Sequence, residues 1–208
     1  GCPRHLRPAI QLLTDTPPLE IKRYARTGWV ERLFLIPGAE PKHVEIDLPG
    51  KLPYCLDARS DLKLGLQALH NLVQAQSAEK VLIALAFVFQ AALANPLGWR
   101  SERYGLFIAG RTGAFKTSIA QLMMSLFGPG FLDENALIRW GIGATTNSIV
   151  TLSTHASDLP FLVDNFKPNT GQGARDLVNL VHALMEGSEK DRLRRDATLR
   201  PVRPIHTW

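Results

Sequence analysis

Two cysteines, Cys2 and Cys55, are all the chain has. They form no C-x-x-C pair and stand near no histidine cluster, so a disulfide framework is not expected and a reducing, cytoplasmic compartment fits. No apolar run is long enough for a bilayer. The longest, "VLIALAFVFQAALA" at 81–94, falls short of the ~20 residues a spanning helix needs. It reads as a buried helix, and no membrane partner is expected. Residues 1–20 carry prolines and charges in place of an apolar run, so no signal peptide is expected there. Internal repeats and low-complexity tracts are missing too. Charge of one sign is also scarce: 24 Lys+Arg against 19 Asp+Glu leave a net +5. Such mild basicity permits an anionic partner such as DNA without requiring one.

What is present is a hydrophobic content of 45% over 208 residues, enough for a sizeable core in one large domain or one domain with a smaller partner. The chain opens on Gly1 and closes on "PVRPIHTW", and the natural polypeptide is expected to continue. Residues 1–59 are predicted to form a small β-rich element. In "KHVEIDLPG", Val44, Ile46 and Leu48 alternate with Glu45 and Asp47, the period of a half-buried strand. From Ser60, a plausible N-cap, Leu62, Leu66, Leu69 and Leu72 recur at helical spacing. Ser77 and Glu79 open a second helix, which Asn95-Pro96 stops. Residues 60–208 are read as an α/β core with these two leading helices. Strands alternating with helices argue for a parallel sheet with helical cover.

The stretch "YGLFIAGRTGAFKTSIAQLMM" at 104–124 carries the strongest chemistry. It reads as a strand buried on both faces, a glycine turn, a lysine with two hydroxyls, and a helix closed by Gly128. Glycines at 110 and 113 can curl the backbone so that its N–H groups face phosphates. Lys116 follows Gly110 by six residues, the spacing that brings an ammonium to the β- and γ-phosphates, and Thr117 can offer a hydroxyl to Mg²⁺. The nucleotide-binding set is therefore Gly110, Arg111, Thr112, Gly113, Ala114, Phe115, Lys116, Thr117 and Ser118. Phe115 stands where G-x-x-x-x-G-K-[ST] has glycine. It is tolerable if its backbone stays in an ordinary region and its ring points away from the phosphates.

"LPFLVDNF" supplies a second apolar strand ending in Asp164, 48 residues after Lys116. An acid there holds Mg²⁺ together with Thr117, or merely caps a strand. Asn165 follows, at a place where a second acid could take a proton from an attacking water. An amide can orient water but cannot take its proton, so Asp158, Glu186 and Glu189 stand as alternative bases. The tail "EKDRLRRDATLRPVR", 189–203, mixes six basic residues with three acids. It reads as a solvated helix end or as a contact to DNA phosphates.

With "GRTGAFKTS", "GATTNSIV" and "LPFLVDNFKP" in place, residues 60–200 resemble a bacterial and mobile-element family of P-loop ATPases. These are helicase-like domains of the AAA+ and RecA-like type, often found with primase domains. The resemblance implies a P-loop NTPase fold, a three-layer core around a parallel sheet. It implies ATP and Mg²⁺ as cofactors, ATP hydrolysis coupled to work on DNA in replication, and a homo-oligomeric ring. Lys116 and Thr117 would be the Walker A residues, Asp164 the Walker B aspartate, and Lys116, Asp164 and Asn165 the catalytic set. Trp140, Thr145, Thr146 and Asn147 would lie in the segment between, where a helix cap by Thr146 or Asn147 explains them as well. The chain departs from the family at Asn165. A nucleotide-binding structural or regulatory module with little turnover is the other expectation.

Overall fold

The structure, a computed structural model, describes residues 19–57, 61–75, 77–99, 105–140, 144–165 and 171–186. The expectations placed on Ser60, Glu189 and the basic tail lie outside these residues. So does Cys2.

Four short strands come first among the described residues. β1 (Lys22–Tyr24) pairs parallel with β4 (Val44–Ile46), Lys22 opposite Val44. β2 (Gly28–Val30) and β3 (Leu33–Leu35) form an antiparallel hairpin between them. The hairpin turns on two residues, with Glu31 at φ 56, the left-handed bend that matches strand twist. Two helices follow, α1 (Leu62–Ala75) and α2 (Ala78–Leu93). After the glycine loop come α3 (Lys116–Met124), β5 (Ile138–Arg139), α4 (Thr146–Ser153), β6 (Val163–Asp164) and α5 (Gly171–Glu186). β5 and β6 pair parallel, with Arg139 opposite Asp164. Among the described residues each of the three sheets has two strands.

One core joins the β-rich element to the rest. Ile36, Leu52 and Tyr54 are buried in the same cluster as Val81, Met123, Ile149 and Leu159. Polar ties reinforce it. Thr27, fully buried, donates its hydroxyl to the Ser157 carbonyl at 2.9 Å. The Trp29 amide donates to Asp158 Oδ2 at 2.9 Å, and its indole N–H to the Ala92 carbonyl at 2.8 Å. Gly28 is required at φ 94, because a Cβ there would lie 2.4 Å from the Ser157 carbonyl oxygen. Tyr54 donates its hydroxyl to the Pro160 carbonyl at 2.7 Å, and burial pushes its phenol well above the ordinary value, so it stays neutral.

Several local expectations are corrected. "GLFIAG", expected as a buried strand, forms neither strand nor helix at 105–110, and Phe107 is 67% exposed. It lines a cavity of about 230 Å³ shared with Met123, Trp140, Val163 and Leu180. Apolar character states a demand for burial, but a two-faced strand also needs neighbours on both edges. The leucine repeat of α1 turns only its C-terminal end inward: Leu72 and Val73 reach the core, while Leu62 and Leu66 are exposed. α1 is capped by Asp61, whose carboxylate accepts from the Lys63 amide at 2.8 Å. The expected buried helix at 81–94 is buried on one face only. α4 is capped by Thr145, not by Thr146 or Asn147. The Thr145 hydroxyl accepts from the Ser148 amide at 3.3 Å while Ser148 Oγ accepts from the Thr145 amide at 2.9 Å, a reciprocal capping box.

Candidate functional site

The loop from Gly110 to Phe115 hands the chain from the cavity edge to α3. Gly113 sits at φ 80 in open space, the position where the turn needs glycine. Gly110 has no such need: a Cβ there would make only ordinary contacts, the nearest Lys116 Cδ at 3.5 Å. The Ala114 amide donates to the Arg111 carbonyl at 3.3 Å and closes the turn.

Phe115 corrects the expectation of ordinary backbone. It lies at φ 52, ψ 23, in the left-handed region, as the N-cap of α3, and its side chain is 70% exposed. The glycine usual at this place is thus used for its backbone angle, and phenylalanine adopts that angle here at a cost of about 1–2 kcal/mol. The ring does point to solvent, as tolerance of a side chain requires.

α3 begins at Lys116 itself. The first intrahelical bond runs from the Ile119 amide to the Phe115 carbonyl at 2.9 Å, so the amides of Lys116, Thr117 and Ser118 have no acceptor within the helix. They form the positive end of its dipole, next to the loop. Lys116 Nζ curls back into the loop and donates to the Gly110 carbonyl at 2.9 Å and the Arg111 carbonyl at 2.7 Å. The ammonium therefore stands at the loop's mouth, held by contacts that an anion can replace. Arg111, Thr112, Ala114 and Ser118 are exposed around it.

Thr117 and Asp164 come together. The hydroxyl of Thr117 donates to Asp164 Oδ1 at 3.1 Å, a partly buried bond across 47 residues of chain. Asp164 ends β6, which is fixed in register by β5 and by the Trp140 amide donating to the Asp164 carbonyl at 3.0 Å. Two hard oxygen donors, one hydroxyl and one carboxylate, suit Mg²⁺, which keeps several waters and takes one or two protein oxygens beside substrate phosphates. Among the described residues no group of three or more His, Cys, Asp or Glu forms a separate metal cage.

Asn165 follows at φ 62, again left-handed. Asparagine tolerates that region better than most residues, so the amide has a backbone reason to be there as well as a chemical one. Of the alternative bases, Asp158 is buried and accepts from Trp29, and Asn95 lies 3.4 Å from the same oxygen. Glu186 is exposed at the end of α5, 3.9 Å from His182. Neither is drawn to Thr117 or Asp164 by any of these contacts. Arg139, which the sequence did not single out, stands in register beside Asp164 with its guanidinium turned to Glu134 at 3.8 Å. Its signal was the short apolar run "ALIRW", too brief to read as a strand alone. Thr145 and Ser148 serve the capping box, and Trp140 lines the cavity.

Among the described residues no helix is long and apolar enough to cross a membrane. Compared with protein-family models, curated proteins and solved structures, the chain matches none.

Proposed function

We propose that the chain is an ATP-binding, ATP-hydrolysing motor domain that acts on DNA, a helicase-like P-loop ATPase that works as a homo-oligomer. The observation that carries this reading is the hydrogen bond from Thr117 to Asp164, beside a glycine turn that ends in Lys116. A hydroxyl from a helix start and a carboxylate from a strand end, with a lysine on the adjoining glycine turn, is the minimum that a Mg²⁺-nucleotide asks of a protein. The fold we infer is a three-layer core around a parallel sheet, of which β5 and β6 form a parallel pair.

In this reading the amides of Lys116, Thr117 and Ser118 bind the phosphates, together with the loop backbone. Lys116 exchanges its carbonyl partners for phosphate oxygens and offsets the negative charge that develops there. Thr117 and Asp164 hold Mg²⁺, which neutralises phosphate charge when bound. Asn165 orients water through its amide but takes no proton from it.

That last point favours a second reading, a module that binds ATP and scarcely turns it over. Nucleotide binding and turnover, measured on the full-length protein with and without single-stranded DNA, separate the two. DNA-stimulated hydrolysis supports the motor. Tight binding without turnover supports the module. Lys116→Ala is expected to abolish binding or turnover, and wild-type hydrolysis by that variant would sink both readings.

A further inference from the structure

α2 has an outer face as apolar as its inner one. Val81, Ala84, Val88 and Ala91 face the core. On the opposite side Ala78, Leu82, Ala86, Phe89 and Leu93 are exposed, and Leu97 continues the line in the turn that follows. Leu82 is 55% exposed, Phe89 and Leu93 48% each. The only polar residues in the helix are Glu79, Lys80 and Gln90. A surface helix normally shows water a polar face, and one that is apolar all round is covered on both sides.

We infer that this outer stripe is an interface between two copies of the chain, packed antiparallel, α2 against α2. The spacing of 82, 86, 89 and 93 alternates four and three, the seam of paired helices. About a two-fold axis between Ala86 and Phe89, each residue meets the one whose number brings the sum to 175. Phe89 then faces Ala86 of the other copy, Leu82 faces Leu93, and Leu97 faces Ala78. Large meets small twice, which is the interdigitation a packed layer needs, and one patch serves both copies, as two-fold symmetry requires. Charge agrees with this direction. A parallel pair would set Glu79 by Glu79 and Lys80 by Lys80. The antiparallel pair sets them against the uncharged C-terminal half of the helix and opposes the two helix dipoles. The six positions expose roughly 450 Å² per copy, about 900 Å² for the pair, close to the ~1,000 Å² at which specific interfaces begin. The dimer is therefore one that forms with rising concentration. This inference does not depend on the nucleotide reading.

Sedimentation velocity over a concentration series tests it on the full chain. The wild type is expected to move from one-chain to two-chain mass. Phe89→Asp, at an already half-exposed site, is expected to weaken the dimer at least roughly a hundredfold with unchanged circular dichroism. Phe89→Ala leaves a gap opposite Ala86 and Ala86→Phe sets two rings against each other, so each alone weakens association. The double variant Ala86→Phe/Phe89→Ala restores the large–small match and the dimer. A wild type that stays at one-chain mass up to its solubility limit overturns the inference, including the case in which this face is covered by another part of the same chain. So does a dimer indifferent to Phe89→Asp, or a double variant no better than either single one.

Discussion

Phe115 offers a test in which the sign alone decides. Replace it by alanine in one variant and by glycine in another. Both lose the same ring, which is 70% exposed, so both lose the same modest burial. They differ only at the backbone. At φ 52 an L-residue with a Cβ bears about 1–2 kcal/mol of strain that glycine does not. Glycine in turn loses more chain entropy on folding, about 0.5–1 kcal/mol relative to alanine. The balance favours Phe115→Gly over Phe115→Ala by roughly 0–1.5 kcal/mol, about 0.75 kcal/mol at the centre of both ranges. In an ordinary helical position the order is reversed by about 1 kcal/mol in favour of alanine. Urea unfolding of both variants, compared at equal m-value, reads the difference from the midpoints. If alanine is as stable as glycine or more so, residue 115 is not left-handed. The account of why glycine is usual there then fails for this chain.

Thr117→Ala removes the hydroxyl from Asp164 and should cost about 1–2 kcal/mol, the low range for a bond to a charged group at a half-buried place. It should lower affinity for ATP with Mg²⁺ far more than for ATP with a chelator, and Thr117→Ser should retain both. Equal loss with and without Mg²⁺ would remove Thr117 from the metal. Tyr54→Phe leaves the Pro160 carbonyl without its donor and should cost about 1–3 kcal/mol at neutral pH. The phenol is raised from its ordinary value of 10.0 by burial, so the folded state holds its proton where the unfolded state releases it. That contribution is complete below about pH 10 and is lost as pH rises beyond it. The wild type should lose stability above about pH 10 by a component that Tyr54→Phe lacks, read from unfolding midpoints across that range.

Local pattern was legible where the physics is local. The α2 and α3 segments and the glycine turn follow from apolar spacing, the Asn95-Pro96 stop and the conformational freedom of Gly113. The strand ending in Asp164 was marked by its apolar run. Lys116, Thr117 and Asp164 could be named as a group because the spacing of lysine and hydroxyl on a turn is itself a phosphate-and-metal pattern. The left-handed angle of Phe115 was not legible, since the residue type argues against it. Nor was Arg139, which gains its place only from pairing with β6.

The sequence by itself determined which segments demand burial, where the turn bends, and which residue types could meet a Mg²⁺-nucleotide. Tertiary structure alone decided which demands were met and by what. It turned Leu62 and Leu66 outward and Leu72 inward, left Phe107 beside a cavity, and joined Thr27, Trp29 and Tyr54 to the 155–160 segment. It also brought a hydroxyl and a carboxylate 47 residues apart to 3.1 Å. The reason is range. Caps, periods and turns are set by neighbours a few residues away. Register, packing partners and the meeting of Thr117 with Asp164 depend on contacts whose closure the whole chain must sustain.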